Sequence, residues 1–245
     1  IRECFLERRP LEPALHRKCL TWLREYMVVG GMPQVVKRYV ETKNFGLADE
    51  EKRTILTLYR ADIAKHAGSN TLKVERLFDT IPSQLSRHEK RFRLASIDKN
   101  ARMRDYEEPF QWLEDAMVVN TCYNSTEPSV GLRLNEDRTT LKCYLADTGL
   151  LYALTFGNRT DCNEVYKKII LGKLAVNEGM FVENLVAQML RASGHSLYFY
   201  SSASPNKDDR MEIDFLLGKG VVTNRHNIVP VEVKSGTRFS LVSLE

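Results

Sequence analysis

No Cys-x-x-Cys pair occurs in the 245 residues, and the five cysteines, at 4, 19, 122, 143 and 162, are odd in number and irregular in spacing. That pattern excludes a disulfide framework and a paired-cysteine zinc site, so the thiols read as reduced, as in a cytoplasmic protein. No run approaches the ~18 consecutive apolar residues of a membrane span, and no membrane partner is expected. A Gly-x-x-x-x-Gly-Lys-Ser/Thr loop is missing, so no residue here is expected to bind nucleotide phosphates. The opening Ile-Arg-Glu-Cys is neither a signal peptide nor a natural start, and the closing Leu-Glu has the form of a cloning scar. The chain therefore reads as a fragment with sequence missing at both ends. Charge of one sign is also scarce: 36 Lys plus Arg against 32 Asp plus Glu leave only +4. Global charge gives no argument for nucleic acid, and local distribution has to supply it.

What is present suits a globular protein: 43% hydrophobic and 28% charged residues, in a length sufficient for two domains of roughly 100 to 200 residues. Leu15, Cys19, Trp22, Leu23 and Tyr26 recur at helical spacing before a Gly30-Gly31-Met32-Pro33 break, which reads as a helix-helix turn. A second helix restarts at Gln34 with Val35, Val36, Tyr39 and Val40. Residues 44 to 49 read as a loop before a helix from about Glu50 to His66. Residues 1–50 are thus expected as a helical segment.

A helix over about 73 to 81 leads into the most basic window of the chain. Arg87, Lys90, Arg91, Arg93, Lys99, Arg102 and Arg104 stand there against Glu89 and Asp98. An amphipathic helix from Tyr106 to Val119 and two short strands, Val119 to Tyr123 and Leu141 to Leu145, follow. Helices and then a hairpin is the order of a winged helix-turn-helix, so residues 51–157 are expected as a winged-helix-like domain with those seven cations toward DNA. A solvated charged face or a protein-docking module fits the same pattern, and that alternative stays open. Asp147 or Thr148 is placed to cap a short helix ending near Gly157, and polar residues 158 to 164 read as the domain linker.

The remainder, 158–245, is expected as an α/β domain. Residues 177 to 193 form a helix with an apolar stripe at Val182, Leu185, Val186, Met189 and Leu190, and Glu183 points to its packed side. Strands are expected over Leu197 to Ser201, Met211 to Leu217 and from Ile228 through Lys234, with polar loops at Ser202 to Arg210 and Gly218 to Asn227 between them. A side-chain period of two puts Glu212 with Asp214, and Glu232 with Lys234, each pair on one strand face. Carboxylates and an ammonium on otherwise apolar strands are unusual, because uncompensated buried charge is costly.

Asp214, Glu232-x-Lys234 and the upstream Glu183 resemble the PD-(D/E)xK nuclease superfamily. Gly30-Gly-Met-Pro33, Leu58-Tyr-Arg-Ala-Asp-Ile63, Leu145-Ala-Asp-Thr-Gly-Leu150, Gly179 to Leu190, Glu212-Ile-Asp214 and Val231-Glu-Val-Lys-Ser-Gly236 extend the likeness over nearly the whole chain. They resemble the C-terminal half of a prokaryotic AAA-type ATP-binding protein family with a winged-helix segment and a nuclease-like domain of uncharacterised function. The resemblance implies an α+β chain: a helical, winged-helix-like N-terminal part and then a restriction-endonuclease-like domain with a mixed sheet. It also implies an upstream ATPase domain as partner, with ATP bound only there.

Read chemically, Asp214 and Glu232 are hard oxygen donors suited to Mg2+ or Mn2+. Lys234 would position the attacking water or stabilise the transition state, and Glu183 would orient the metal or its water. Glu212 is the weaker candidate for a ligand. The expected function is DNA binding with metal-dependent cleavage. The alternative is a non-catalytic DNA- or protein-binding regulatory domain in which the same charges form a structural salt-bridge cluster.

Overall fold

The computed structural model describes residues 1–129, 131–157, 161–172, 177–202, 211–220 and 227–235. Helices α1 (Arg2–Leu6), α2 (Pro13–Val29), α3 (Pro33–Thr42), α4 (Phe45–His66) and α5 (Thr71–Leu85) come first, followed by α6 (Glu107–Asp115). The hairpin β1 (Val119–Ser125) and β2 (Glu136–Leu145) follows, then α7 (Thr148–Phe156), α8 (Cys162–Ile170) and α9 (Glu178–Ala192). Strands β3 (Leu197–Ser202), β4 (Met211–Gly218) and β5 (Ile228–Val231) complete the order. The protein is α+β, and no helix among the described residues is long and apolar enough to cross a membrane.

Helix starts follow local chemistry. Pro33 opens α3 at a position where its missing N–H costs nothing. Helix α4 begins earlier than the hydrophobic period suggests, because the Asn44 side chain accepts hydrogen bonds from Gly46 N (2.8 Å) and Leu47 N (3.3 Å). This cap turns the expected loop at 44–49 into the first turn of the helix. Helix α8 begins inside the expected linker, at Cys162. Its Cys162, Val165, Tyr166, Ile169 and Ile170 are all buried, a stripe that the flanking polar residues conceal. Linker positions 158–160, the loop positions 203–210 and 221–226, and the chain from 236 onward lie outside the described residues.

One mixed sheet joins what the sequence divides. Its order is β2-β1-β3-β4-β5. Strand β1 pairs antiparallel with β2 and parallel with β3, and the β3/β4 and β4/β5 pairs are antiparallel. The hairpin expected as part of a winged-helix-like domain belongs to the central sheet, and the expected boundary at 157/158 falls between strands of that sheet. One hydrophobic core runs from Met27 to Phe215 across it. The physical reason is burial: β1 and β2 bury side chains on both faces, and a projecting wing has only one face to bury.

The Gly30-Gly31 turn locks the N-terminal helices onto this body. Asp147 accepts from Leu150 N (2.9 Å), capping α7, and from Gly31 N (2.7 Å). Gly30 sits at φ 84°, and a Cβ added to Gly149 would stand 2.3 Å from the Val29 carbonyl oxygen. The backbones approach so closely that only glycine fits.

Candidate functional site

Helix α9 delivers Glu183 because its neighbour Asn184 clamps the helix to the end of β2. The Asn184 side chain accepts from Leu145 N (2.8 Å) and donates to Leu145 O (3.0 Å), so both buried peptide groups are satisfied. Tyr152 of α7 stacks on Phe181 at 3.7 Å between centroids and holds the same helix from behind. Glu183 is thereby set over Lys142 and Tyr144, which share one face of β2 by the period of two.

Lys142 is the centre of the cluster. Its side chain is 1% exposed, and its Nζ lies 3.0 Å from Glu212, 3.4 Å from Asp214 and 3.5 Å from Glu183. The ring of Phe199 adds a cation–π contact at 5.1 Å. Burial alone would pull the Lys142 pKa down, but the field of Glu183, Glu212 and Asp214 outweighs it and holds the ammonium above its ordinary value. Burial likewise pushes Glu183 up, while Lys142, Lys90 and the Tyr144 hydroxyl (2.5 Å) bring it below the ordinary value.

Asp214 reaches this point through a β-bulge. Tyr198 pairs with Leu216 and Tyr200 with Ile213, so Asp214 and Phe215 together oppose Phe199 alone. The extra residue lets Phe215 enter the main core with its neighbour Asp214 at Lys142, while Ile213 and Leu216 pack in a second small cluster. The second carboxylate oxygen of Asp214 accepts from Val233 N (2.8 Å), which ties β4 to the residues after β5. Asp214 is raised above its ordinary value by burial and by Glu183, with Glu232 adding to the effect against Lys142.

Strand β5 ends at Val231, so Glu232 and Lys234 lie just beyond the ladder, not on a third full strand as expected. They ion-pair with each other. Of the four sequence-derived site residues, Glu183 and Asp214 meet at Lys142 and Glu232 is close enough to Asp214 to raise its pKa. Glu212, the weaker candidate, is the nearest carboxylate to Lys142. Lys142 and Tyr144 were missed, although Leu141-Lys-Cys-Tyr-Leu145 carries the same alternation of polar positions on an apolar strand that singles out Glu232 and Lys234.

The basic window divides. Lys90 donates to Glu183 and belongs to this cluster, not to a free DNA-facing surface. Arg91 and Arg93 both bind Glu89, at 3.0 and 2.7 Å, and Arg104 lies 3.7 Å from Asp105. Arg87 is half-buried, while Lys99 and Arg102 are exposed and form no ion pair among the described residues.

Metal suitability rests on Asp214 and Glu232. Among the described residues no three His, Cys, Asp or Glu side chains form a group able to hold an ion. The Glu232 Oε2 atom, however, is buried and has no hydrogen-bond partner among the described residues, and it lies in the field of an Asp214 whose charge is disfavoured by burial and by Glu183. Two carboxylates in each other's field are the hard-oxygen donor type that Mg2+ or Mn2+ takes.

Residues 178–245 match the domain of unknown function DUF4143. No curated protein and no solved structure matches the chain. Residues 20–161, more than half of the chain, match the domain of unknown function DUF8612, and the chain belongs to that family.

Proposed function

We propose that the chain is the C-terminal part of an AAA-type ATPase-family protein whose sheet carries a divalent-cation-dependent DNA phosphodiesterase site of restriction-endonuclease-like form. The DUF4143 match supports the first half, because that domain is commonly found at the C-termini of AAA-type ATPases. The free cysteines support a cytoplasmic setting. The second half is carried by the Glu232 Oε2 atom, buried and with no hydrogen-bond partner among the described residues, in the field of Asp214.

Asp214 and Glu232 would hold the Mg2+ or Mn2+ ion, which would supply activated water and neutralise charge building on the phosphate. Lys142 keeps Asp214 and Glu183 in place and stays protonated at neutral pH. Lys234, at 34% exposure, stands at the open end, where an incoming phosphate meets it first. Lys99 and Arg102 are the exposed cations best able to take the DNA backbone.

A specific observation favours a second reading. The Lys142 ammonium fills the point where three carboxylates converge, which suits a sealed structural cluster in a non-catalytic binding domain. Plasmid incubated with Mn2+ separates the two. Nicking that vanishes in Asp214→Ala and Glu232→Ala supports the phosphodiesterase. Intact duplex, branched and single-stranded DNA, with no Mn2+ uptake by calorimetry, leaves the sealed cluster. DNA binding is tested separately: Lys99→Glu and Arg102→Glu should each lower the salt slope by about one phosphate contact, whereas an affinity flat in salt removes DNA as the partner.

A further inference from the structure

A second candidate site lies away from the carboxylate cluster. Along β1, Cys122 faces the buried charges, whereas Thr121 and Tyr123 face the other way, toward α6. There a cleft of about 190 Å³ opens between α6, the end of α9, the middle of β1 and the starts of β2 and β3. Arg133, Arg138 and Arg191 converge on it with Tyr123 and Tyr198. None of these residues takes part in the Lys142 cluster.

The guanidinium groups have donors to spare. Each has five N–H donors in a planar fork. Arg138 donates its Nε to Glu136 at 2.8 Å and lies over the Tyr123 ring at 5.8 Å. Arg191 approaches Glu114 only to 3.5 Å, and one Glu114 oxygen is already held by the Thr121 hydroxyl at 2.6 Å. Arg133 is exposed and forms no ion pair among the described residues. Three guanidinium groups thus face two carboxylates, Glu114 and Glu136, and the cleft retains one positive charge.

A neighbouring cavity of about 200 Å³ shares Gln111, Tyr123 and Arg138 with the cleft, so the stacked Tyr123–Arg138 pair forms the wall between them. The two cavities differ in chemistry. The first gathers arginines, and the second adds the apolar surfaces of Met103, Phe110 and Leu141 with two glutamates, Glu107 and Glu108. A phosphate is favoured in the first and repelled from the second. A flat ring beside Tyr123 is favoured in the second.

We propose that this pair of cavities binds one phosphorylated nucleoside, with the phosphate on Arg133 and Arg191 and the base against the Tyr123–Arg138 wall. Arginine forks match phosphate geometry, and base–aromatic stacking tolerates any base. The unit is either a free nucleotide or one residue of a single strand, since both present the same chemistry. The inference does not rest on the phosphodiesterase reading, because none of its residues is shared with Asp214, Glu232 or Lys142.

Binding is measured by fluorescence anisotropy of a labelled ten-residue oligo-dT and by calorimetry with dTMP, deoxythymidine and inorganic phosphate as probes. The expected result is uptake of the oligonucleotide or dTMP, with deoxythymidine and phosphate each weaker alone. Arg133→Glu should weaken uptake at least roughly tenfold, as loss of a charge-assisted hydrogen bond implies. Tyr123→Leu should weaken it while Tyr123→Phe retains it. A preference for oligo-dT over dTMP identifies a strand, and equal affinity identifies a free nucleotide. No uptake of either phosphorylated probe, or uptake indifferent to Arg133→Glu in a variant with unchanged thermal stability, overturns the proposal.

Discussion

Replacing Lys142 with methionine keeps most of the unbranched side chain, one heavy atom shorter, and removes the ammonium with its three donors. Glu183, Glu212 and Asp214 would then face one another without the ammonium that now sits 3.0 to 3.5 Å from each. Breaking a buried ion pair by deleting one partner typically costs about 3 to 5 kcal/mol. The lower end applies here, because Lys90 and Tyr144 continue to serve Glu183 and because Glu212 is 31% exposed and can turn to water. The expected loss is about 3 kcal/mol against a net stability of about 5 to 15 kcal/mol, read as a lowered urea midpoint at unchanged slope. The pH dependence has a defined sign. Asp214 is already raised above its ordinary 3.8 by burial and by Glu183, and without Lys142 it loses the one cation that opposes them and rises further. Raised groups contribute stability below the unfolded value and lose it as pH rises through the folded value, so the deficit should be small near pH 4 and grow toward pH 7. A loss below about 1 kcal/mol, or one that is constant over that range, would refute the convergence of the three carboxylates on Lys142.

A second buried cluster provides an independent check in the acid range. Asp49 pairs with Lys52 at 3.1 Å and Arg53 at 2.6 Å and accepts from Tyr166 at 2.6 Å. Burial pushes its carboxyl up, but Lys52, Tyr166 and Arg53 bring it below its ordinary value of 3.8. The stability that it contributes is therefore present above 3.8 and lost as pH falls through the lower folded value. Asp49→Asn should cost about 3 kcal/mol at pH 7, where it strands the buried Lys52, and should flatten the acid limb of the melting-temperature profile. An unchanged acid limb would count against the pairing. Gly149→Ala should cost about 1 to 3 kcal/mol by thermal unfolding, since its Cβ meets the backbone of Val29 and Gly30 and neither can rotate away; a neutral result would mean that the N-terminal helices are not docked on α7.

Helices α2, α3, α6 and α9 were legible in the sequence because each carries an apolar stripe at helical spacing, α7 because of its cap, and period-two alternation marked β4. The Asp147 cap was legible for a local reason too, since an N-cap needs only the next three residues. The composition of the charged cluster was half legible. Glu183, Asp214, Glu232 and Lys234 announced themselves as charges on apolar elements, and two of them do meet.

Only tertiary structure decided the rest. Alternation states which side of a strand a residue takes but not which strand lies beside it, so the parallel pairing of β1 with β3 was invisible, and with it the continuity of the sheet. The bulge at Asp214 is likewise a matter of register against β3. Lys90 is one lysine among seven cations until the fold carries it to Glu183, 93 positions away. Lys142 shows the division most clearly. Its sequence neighbours mark it only as a polar position on an apolar strand, and its place among three carboxylates comes from two other elements that the chain reaches 41 and 72 residues later. Local propensity follows from neighbours in the chain, whereas a buried charge is tolerable only when distant segments bring it partners.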